Sequence, residues 1–165
     1  MLLGIDLGGT KIEGIVLKSK ENPEEIIRHR INTEEEKGYS QVINNIKSLV
    51  NHIENKINYK FKRLGIGTPG TIDPETGLLK NSNSQCLNGM PIQKDLAKTL
   101  DKVILIQNDA NCFALAETLL GSVKDQYPNA KNVFGIIIGT GVGGGVIIDG
   151  KTVYGNQGIG GEWGH

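Results

Sequence analysis

The chain lacks the cysteine content and the net charge that several classes of protein require. Its two cysteines, Cys86 and Cys112, stand in no CxxC or other metal-binding spacing, and two thiols in 165 residues cannot form a disulfide framework. Eighteen basic side chains balance eighteen acidic ones, so no broad positive surface for nucleic acid or an anionic membrane is expected. A protein of the reducing cytoplasm that does not bind nucleic acid is therefore the simplest expectation.

A long hydrophobic segment is also absent from the sequence. Asp6 interrupts the apolar N-terminal residues before the core of a signal peptide could form. Residues 133–148 carry no charge, but these 16 residues fall short of the roughly 20 that a membrane helix needs, and their glycines disfavour a helix. We therefore predict β-sheet for this segment and no association with a membrane.

Glycine, in contrast, is abundant: 23 of the 165 residues are glycine, roughly twice the usual share of about 7%. Eleven of them fall between residues 139 and 164. They follow no three-residue period and stand among isoleucine and valine, which excludes both collagen and a flexible Gly/Ser linker. Close approach of the backbone to a ligand is the interpretation that this clustering suggests.

Hydrophobic periodicity predicts a mixed α/β domain. Strands at 2–6, 11–17 and 26–31 would form an antiparallel meander. From Tyr39 to Ile57 apolar residues recur mainly every three or four positions, which is typical of an amphipathic helix. Strands and helices then alternate, with a strand and turn at 64–70, a helix at 91–100, a strand at 103–106, a helix at 109–120 and two strands within 133–150.

The polar segment 124–132 is the predicted domain boundary. It divides the chain into a first lobe of residues 1–125 and the beginning of a second at 126–165. Units of below about 40 residues rarely fold alone. We therefore expect that the second lobe is cut short at His165.

A glycine turn follows the first strand. Residues 4–11 read GIDLGGTK, with a carboxylate at the end of the strand and two glycines in the turn. Glycine amides can approach a phosphate, the Thr10 hydroxyl adds a donor, and Asp6 can hold Mg²⁺ through water. An ordinary hairpin turn explains the same residues, because Gly-Gly is a common hairpin pair.

A second glycine-rich segment, GTGVGGG at 139–145, formally matches GxGxxG. A dinucleotide-binding fingerprint must open a helix, whereas apolar strand residues follow here, so a glycine-rich hairpin is favoured. The sequence contains no GxxxxGK[ST] motif of a P-loop protein. Two phosphate-binding hairpins in separate lobes are what an actin-like ATPase would need.

Asn108 and Asp109 follow an apolar strand and precede a helix. Ligands of open α/β sheets bind at the carboxyl ends of such strands, where Asp109 could accept a proton from a substrate hydroxyl. Either residue could instead simply cap the helix. Near the C-terminal end of the sequence, Glu162 and His165 could bind a polyol, or His165 could bind a metal. The other two histidines, His29 and His52, are interpreted as surface residues.

Together, five motifs resemble, in sequence order, the ROK family of bacterial sugar kinases and sugar-responsive repressors. They are DLGGT at 6–10, GTPG at 67–70, ND at 108–109, GTG at 139–141 and EWGH at 162–165. The resemblance covers essentially the whole chain. It implies an actin-like, ribonuclease H-like fold in which two lobes close on ATP and a hexose.

The resemblance also implies roles for individual residues. Asp109 would be the base that deprotonates the sugar 6-hydroxyl, and Asp6 would hold Mg²⁺ through water. The sugar would contact Gly70, Thr71, Asn83, Asn108, Asp109, Glu162 and His165. The phosphates of ATP would contact Gly4, Asp6, Gly8, Gly9, Thr10, Lys11, Gly139, Thr140, Gly141, Gly143 and Gly144.

In the family, the histidine of the ExGH motif also binds a structural zinc with three downstream cysteines. We therefore expect His165 to be a zinc ligand, with the cysteines, the adenine pocket and a closing helix outside this sequence. The complete protein is expected to be a homodimer. The chain of 165 residues alone is expected to be inactive.

Three functions remain to be compared. Residues 81–89 and EWGH look most like the fructokinase or mannofructokinase branch, whereas residues 108–117 and 139–148 look equally like the N-acetylglucosamine kinase branch, and a glucokinase is a further alternative. A sugar-sensing repressor of the same family would carry a DNA-binding module before Gly4, which is not expected here. A noncatalytic actin-like scaffold would have little reason to combine Asn108, Asp109, Glu162 and His165.

Overall fold

The computed structural model describes residues 1–138 and 142–164, which fold as two compact units. The first unit is Met1–Gln107 and the second begins at Asn108.

A five-stranded mixed sheet with the order β3-β2-β1-β4-β7 forms the centre of the first unit. Strand β1 pairs antiparallel with β2, which places Ile5 opposite Gly14, and parallel with β4, which places Ile5 beside Ile66. A separate antiparallel ribbon joins β5 and β6. The strands are β1 (Leu2–Leu7), β2 (Lys11–Leu17), β3 (Glu25–Asn32), β4 (Arg63–Thr68), β5 (Thr71–Ile72), β6 (Leu79–Lys80) and β7 (Val103–Asn108).

Two helices complete the first unit, α1 (Tyr39–Ile57) and α2 (Ile92–Leu100). One face of α1 is buried among the side chains of the core, because its apolar residues recur at the helical period. Gly14 on β2 allows the helix to approach, since a Cβ there would lie 2.5 Å from Cδ1 of Ile53. The buried apolar residues of α1 are Val42, Ile43, Ile46, Leu49, Val50 and Ile53.

A buried ion pair fastens the end of α1. The Glu54 side chain, 2% exposed, accepts hydrogen bonds from Nζ of Lys102 (2.8 Å), Nζ of Lys60 (2.9 Å) and the Phe61 N–H (2.9 Å). Burial alone would raise the pKa of Glu54, but these hydrogen bonds outweigh it and lower the pKa. The rings of His29 and His52 stack with centroids 4.0 Å apart. Both were predicted to be surface residues; His52 is exposed, whereas His29 is partly buried.

The second unit packs a helix on a glycine-rich hairpin. Helices α3 (Asp109–Leu119) and α4 (Ser122–Gln126) precede β8 (Asn132–Ile138), β9 (Val142–Ile148) and β10 (Lys151–Thr152), which form an antiparallel sheet of order β10-β9-β8. Gly135 pairs with Gly145 across the hairpin, and α3 contacts both strands. A Cβ on either glycine would lie within 3.0 Å of the Cβ of Ala114.

Most predicted elements are present: the three-stranded meander, α1, α2, β7, α3 and the β8–β9 hairpin. The predicted elements did not include β5, β6, α4 and β10, which have two to five residues and show no readable period. The structure divides the chain after Gln107, before the polar segment 124–132, because α3 packs on β8 and β9.

Candidate functional site

The turn between β1 and β2 is held by its carbonyl groups. The Gly8 N–H donates to the Lys11 carbonyl (2.9 Å), while Thr33 donates from Oγ1 to the Gly8 carbonyl (2.6 Å) and from N–H to the Thr10 carbonyl (2.9 Å). The amides of Gly9 and Thr10 donate to no acceptor among the residues that the structure describes. Two adjacent amides of a glycine turn that find no acceptor within residues 1–138 and 142–164 fit an anionic oxygen such as that of a phosphate.

Two side chains approach the turn at Gly9. A Cβ on this glycine would lie 3.3 Å from Oγ of Ser84 and 3.5 Å from both carboxylate oxygens of Glu35. Oε2 of Glu35 is buried and has no hydrogen-bond partner within the described part of the chain. Nearby on β2, the Lys11 ammonium donates to Oδ1 of Asn32 (2.6 Å), a neutral group, which leaves its charge uncompensated by that contact.

Asp6 and the GTPG motif share one edge of the first sheet. Gly4 and Asp6 on β1 lie beside Gly65 and Gly67 on the parallel strand β4. The side chain of Asp6 is exposed at this edge, where parallel strands present their carboxyl ends.

Gly70 and Thr71 are packed against the loop that carries Asn83. Gly70 has a φ of 84°, and a Cβ there would collide with the Lys80 carbonyl and lie 2.9 Å from the Ser82 nitrogen. Only glycine tolerates both the backbone conformation and this close contact. Thr71 pairs with Lys80 in the β5–β6 ribbon. Because a Cβ on Gly9 would lie 3.3 Å from Oγ of Ser84 in the same loop, the predicted phosphate and sugar residues of the first unit lie near each other.

Asn108 and Asp109 lie where β7 ends and α3 begins. Oδ1 of Asn108 accepts a hydrogen bond from the Asn111 N–H (3.1 Å), so Asn108 is the N-cap of the helix. Asp109 is the first helical residue, and its Oδ1 accepts from the Ala110 N–H (2.8 Å). The helix-capping interpretation is correct for Asn108, and it leaves the carboxylate of Asp109 exposed at the helix N-terminus.

The electrostatics of Asp109 suit a proton acceptor. Desolvation by the surrounding protein raises the pKa of its carboxyl, although the Ala110 N–H and its own backbone act in the opposite direction. More than a third of the residue nevertheless remains exposed to solvent. A carboxylate that is accessible and has a raised pKa can take a proton from a bound hydroxyl.

The glycines of β9 have structural neighbours. Gly143 lies against the start of α3, because a Cβ there would be 3.4 Å from the Cβ of Ala110 and 3.7 Å from Oε2 of Glu162. Gly144 faces the opposite side, where a Cβ would be 2.5 Å from the Gly161 carbonyl oxygen and 2.8 Å from the Trp163 ring. The hairpin thus brings Glu162 close to the first turn of α3. The predicted ligands Gly139, Thr140, Gly141 and His165 lie outside the described residues.

Sequence reasoning missed Thr33, Ser84 and Glu35, which hold or flank the glycine turn. Each is remote from the turn in sequence, and no motif connects them to it. Within residues 1–138 and 142–164, no group of three or more His, Cys, Asp or Glu side chains is arranged to hold a metal ion. No helix in the same part of the chain is long and apolar enough to span a membrane.

A comparison with known families decides where this fold and these motifs belong. The sequence pattern of the ROK family matches residues 2–165. The chain belongs to the ROK family. This membership accounts for the order of the motifs, from the glycine turn at 8–10 to Glu162.

Curated ROK relatives include an N-acetyl-D-glucosamine kinase of Aliivibrio salmonicida. It is 40% identical over 165 residues, which are 100% of this chain and 52% of the relative. The chain therefore spans about half the length of the curated relatives that it matches.

Solved ROK structures share the fold. A ROK hexokinase from Thermus thermophilus superposes with a TM-score of 0.83 at 30% identity, over 99% of this chain and 52% of that one. A ROK family glucokinase from Streptomyces griseus, solved with glucose and AMPPNP, gives a TM-score of 0.80 at 25% identity, over 99% and 49% of the two chains. The predicted actin-like α/β fold is confirmed.

Proposed function

We propose that this chain forms part of an ATP-dependent hexose kinase that phosphorylates the 6-hydroxyl of its sugar. The observation that carries the proposal is Asp109, an accessible carboxylate of raised pKa at the first position of α3. The family resemblance assigns the role of catalytic base to this residue. Its task is modest, because general-base help typically contributes about 10²–10⁴ in rate.

ATP fits the residues of the first unit. The amides of Gly9 and Thr10, together with the Lys11 ammonium, would hold phosphate oxygens, with Gly4 and Gly8 shaping the turn. Asp6 would hold Mg²⁺ through water, and the ion would neutralise phosphate charge. Gly139, Thr140, Gly141, Gly143 and Gly144 would contribute from the second glycine hairpin.

The sugar would be bound by the residues that the family resemblance assigns to it. These are Gly70, Thr71, Asn83, Asn108, Glu162 and His165. Asp109 would accept the proton of the sugar 6-hydroxyl while the hydroxyl oxygen attacks the γ-phosphorus of ATP. The bond from that phosphorus to the β–γ bridging oxygen breaks, and ADP leaves. Phosphoryl transfer requires mainly such positioning and charge neutralisation.

N-acetylglucosamine is the sugar that we propose. Relatives that are 36–40% identical over the whole chain are named N-acetyl-D-glucosamine kinase, including those of Aliivibrio salmonicida and Haemophilus influenzae. This favours the N-acetylglucosamine branch over the fructokinase or mannofructokinase activity that residues 81–89 suggested.

The test is an ADP-release assay on the protein expressed from its complete gene. N-acetylglucosamine, glucose, mannose and fructose are compared as substrates, and we expect N-acetylglucosamine to have the highest kcat/KM. Asp109→Asn should lower kcat by about 10²–10⁴. Asp125→Asn, the same change on the exposed surface of α4, is the matched control and should leave kcat unchanged.

The pH profile adds a second readout. Asp109 must be deprotonated to act as a base, so activity falls as the pH drops through its pKa. Because that pKa is raised, the acid limb of kcat/KM should lie above the ordinary aspartate value. If Asp109→Asn keeps the full kcat of the wild type, Asp109 is not the base. If fructose has the highest kcat/KM, the fructokinase interpretation is correct instead.

Three expectations remain predictions. Zinc binding at His165 requires cysteines from outside this sequence. Metal analysis of the complete protein would detect the zinc. The homodimer is testable by light scattering on the same preparation. The chain of 165 residues alone should show no sugar phosphorylation.

A further inference from the structure

We infer that Asn88 is a positioning residue that holds the loop of Asn83 in its sugar-binding shape, an inference that rests on the proposed function. Asn88 follows the 3-10 turn Gln85–Leu87, five residues beyond Asn83. It contacts no proposed reacting group, so its effect would be transmitted through the loop.

Asn88 binds the main chain of Ser82 at both of its polar groups. Its Oδ1 accepts from the Ser82 N–H (2.9 Å), and its Nδ2 donates to the Ser82 carbonyl (2.9 Å). One side-chain amide thus makes both hydrogen bonds that a neighbouring β-strand would make. Ser82 comes directly after β6 and Asn81, so the clamp begins where the ribbon ends.

The clamp determines which side chains of the loop point outward. Ser82 and Ser84 are buried, at 4% and 3% exposure. Asn81, which precedes Ser82, and Asn83, which lies between the two serines, are exposed. The Ser84 N–H donates to Oγ of Ser82 (3.1 Å), which extends the same inward anchoring by two residues. Asn83 is presented to solvent because both of its neighbours are anchored.

The loop is also supported from its other side. Gly70 lies directly against the backbone of residues 80–82, and Oγ of Ser84 lies 3.3 Å from where a Cβ of Gly9 would stand in the glycine turn. A shift of Ser82 would therefore change the position of Asn83 relative to Gly70 and Gly9. These are the residues that the proposed function assigns to the sugar and to ATP.

Asparagine is suited to this position by chemistry as well as by length. Aspartate could accept from the Ser82 N–H, but its carboxylate has no donor and would face the Ser82 carbonyl. Alanine would leave both main-chain groups of a buried residue without the partners seen here. The loss of these two hydrogen bonds would release Ser82, so the loop would lose much of its order.

The experiment measures loop order and kinetics on the complete protein. Asn88→Ala and Asn88→Asp are compared with Asn51→Asp, the same amide-to-acid change on the exposed surface of α1. In Asn88→Ala we expect faster hydrogen exchange at the Ser82 and Ser84 amides, and in both Asn88 variants we expect a KM for the sugar that is raised about tenfold. The kcat and the KM for ATP should stay within about twofold of the wild type, and Asn51→Asp should change none of these quantities.

The outcomes separate this inference from the proposed function. Unchanged amide exchange in Asn88→Ala overturns the clamp, whether or not the protein is a kinase. Faster exchange with an unchanged sugar KM, or a loss confined to kcat, overturns the role of the loop in sugar binding. A wild-type protein that phosphorylates no sugar overturns the proposed function, and the sugar role of Asn88 with it.

Discussion

The two units bury their helices with different kinds of side chain. In the first, α1 covers the sheet with large apolar residues, of which Ile46 and Ile53 are 0% exposed. In the second, α3 approaches the β8–β9 hairpin through alanines and glycines, such as Ala114 against Gly135. Large residues of the second unit remain exposed, including Ile136 at 45%.

This difference shows that glycine serves two purposes in the chain. In the first unit, glycines form the tight turn at 8–9 and the close contact at Gly70, and the strand glycine Gly14 lets α1 approach. In the second, Gly135, Gly144 and Gly145 permit helix or backbone to lie directly on the strands. The second unit therefore gains less stability from hydrophobic burial than the first, since burial scales with apolar area.

Truncation of one isoleucine in each unit tests this contrast most strongly. Ile46→Ala should lower the free energy of unfolding by about 2–5 kcal/mol, because it leaves a cavity in a filled core. Ile136→Ala on β8 should cost less than about 1 kcal/mol, since its side chain is already half exposed. Urea unfolding of the chain, followed by circular dichroism, measures both. Equal losses would contradict the contrast.

Periodicity predicted the first unit better than the second for a physical reason. The predicted helix from Tyr39 to Ile57 has the bounds of α1, because apolar residues recur along its whole length and the buried face follows them. Strand β8 was also predicted, but alternation of residue types does not reveal which face is covered. The ribbon β5–β6 has two residues per strand, too few to show a period.

The ion pair at Glu54 provides a second test, confined to the first unit. Lys102→Met should destabilise the protein by about 3 kcal/mol, since it removes one partner of a buried carboxylate. Lys60→Met removes the other partner, whose side chain is 69% exposed, and should cost less than about 1 kcal/mol. Urea unfolding at neutral pH measures the stability of the two variants. If Lys60→Met loses more stability than Lys102→Met, then Lys60 and not Lys102 is the more important partner of Glu54.

The candidate site was predicted in part. The positions of Asp109 and of the turn at 8–10 follow from a strand end and a glycine pair, which are local patterns. Whether Gly143 and Gly144 bind a ligand or permit packing is not decided by sequence, because both uses require only a missing side chain. Thr33 and Ser84 lie beside a turn that is distant from them in sequence. Asn88 binds the main chain of Ser82 only six residues away, but no residue pattern marks that pair.

Adding one methyl group to a glycine in each unit is the most delicate test of the contrast. Gly144→Ala would place a Cβ 2.5 Å from the Gly161 carbonyl oxygen and 2.9 Å from the Phe134 ring, and should cost about 1–3 kcal/mol through overpacking. Gly65→Ala on β4 would meet no atom within 4 Å, and should be neutral or stabilise by up to about 1 kcal/mol. Trp163, the single tryptophan, contacts Phe134 edge to face, so a shift in its fluorescence should accompany only the Gly144 change. If Gly144→Ala is as stable as the wild type and its fluorescence is unchanged, the hairpin can accommodate the added methyl group. Close packing would then not be the reason for glycine at position 144.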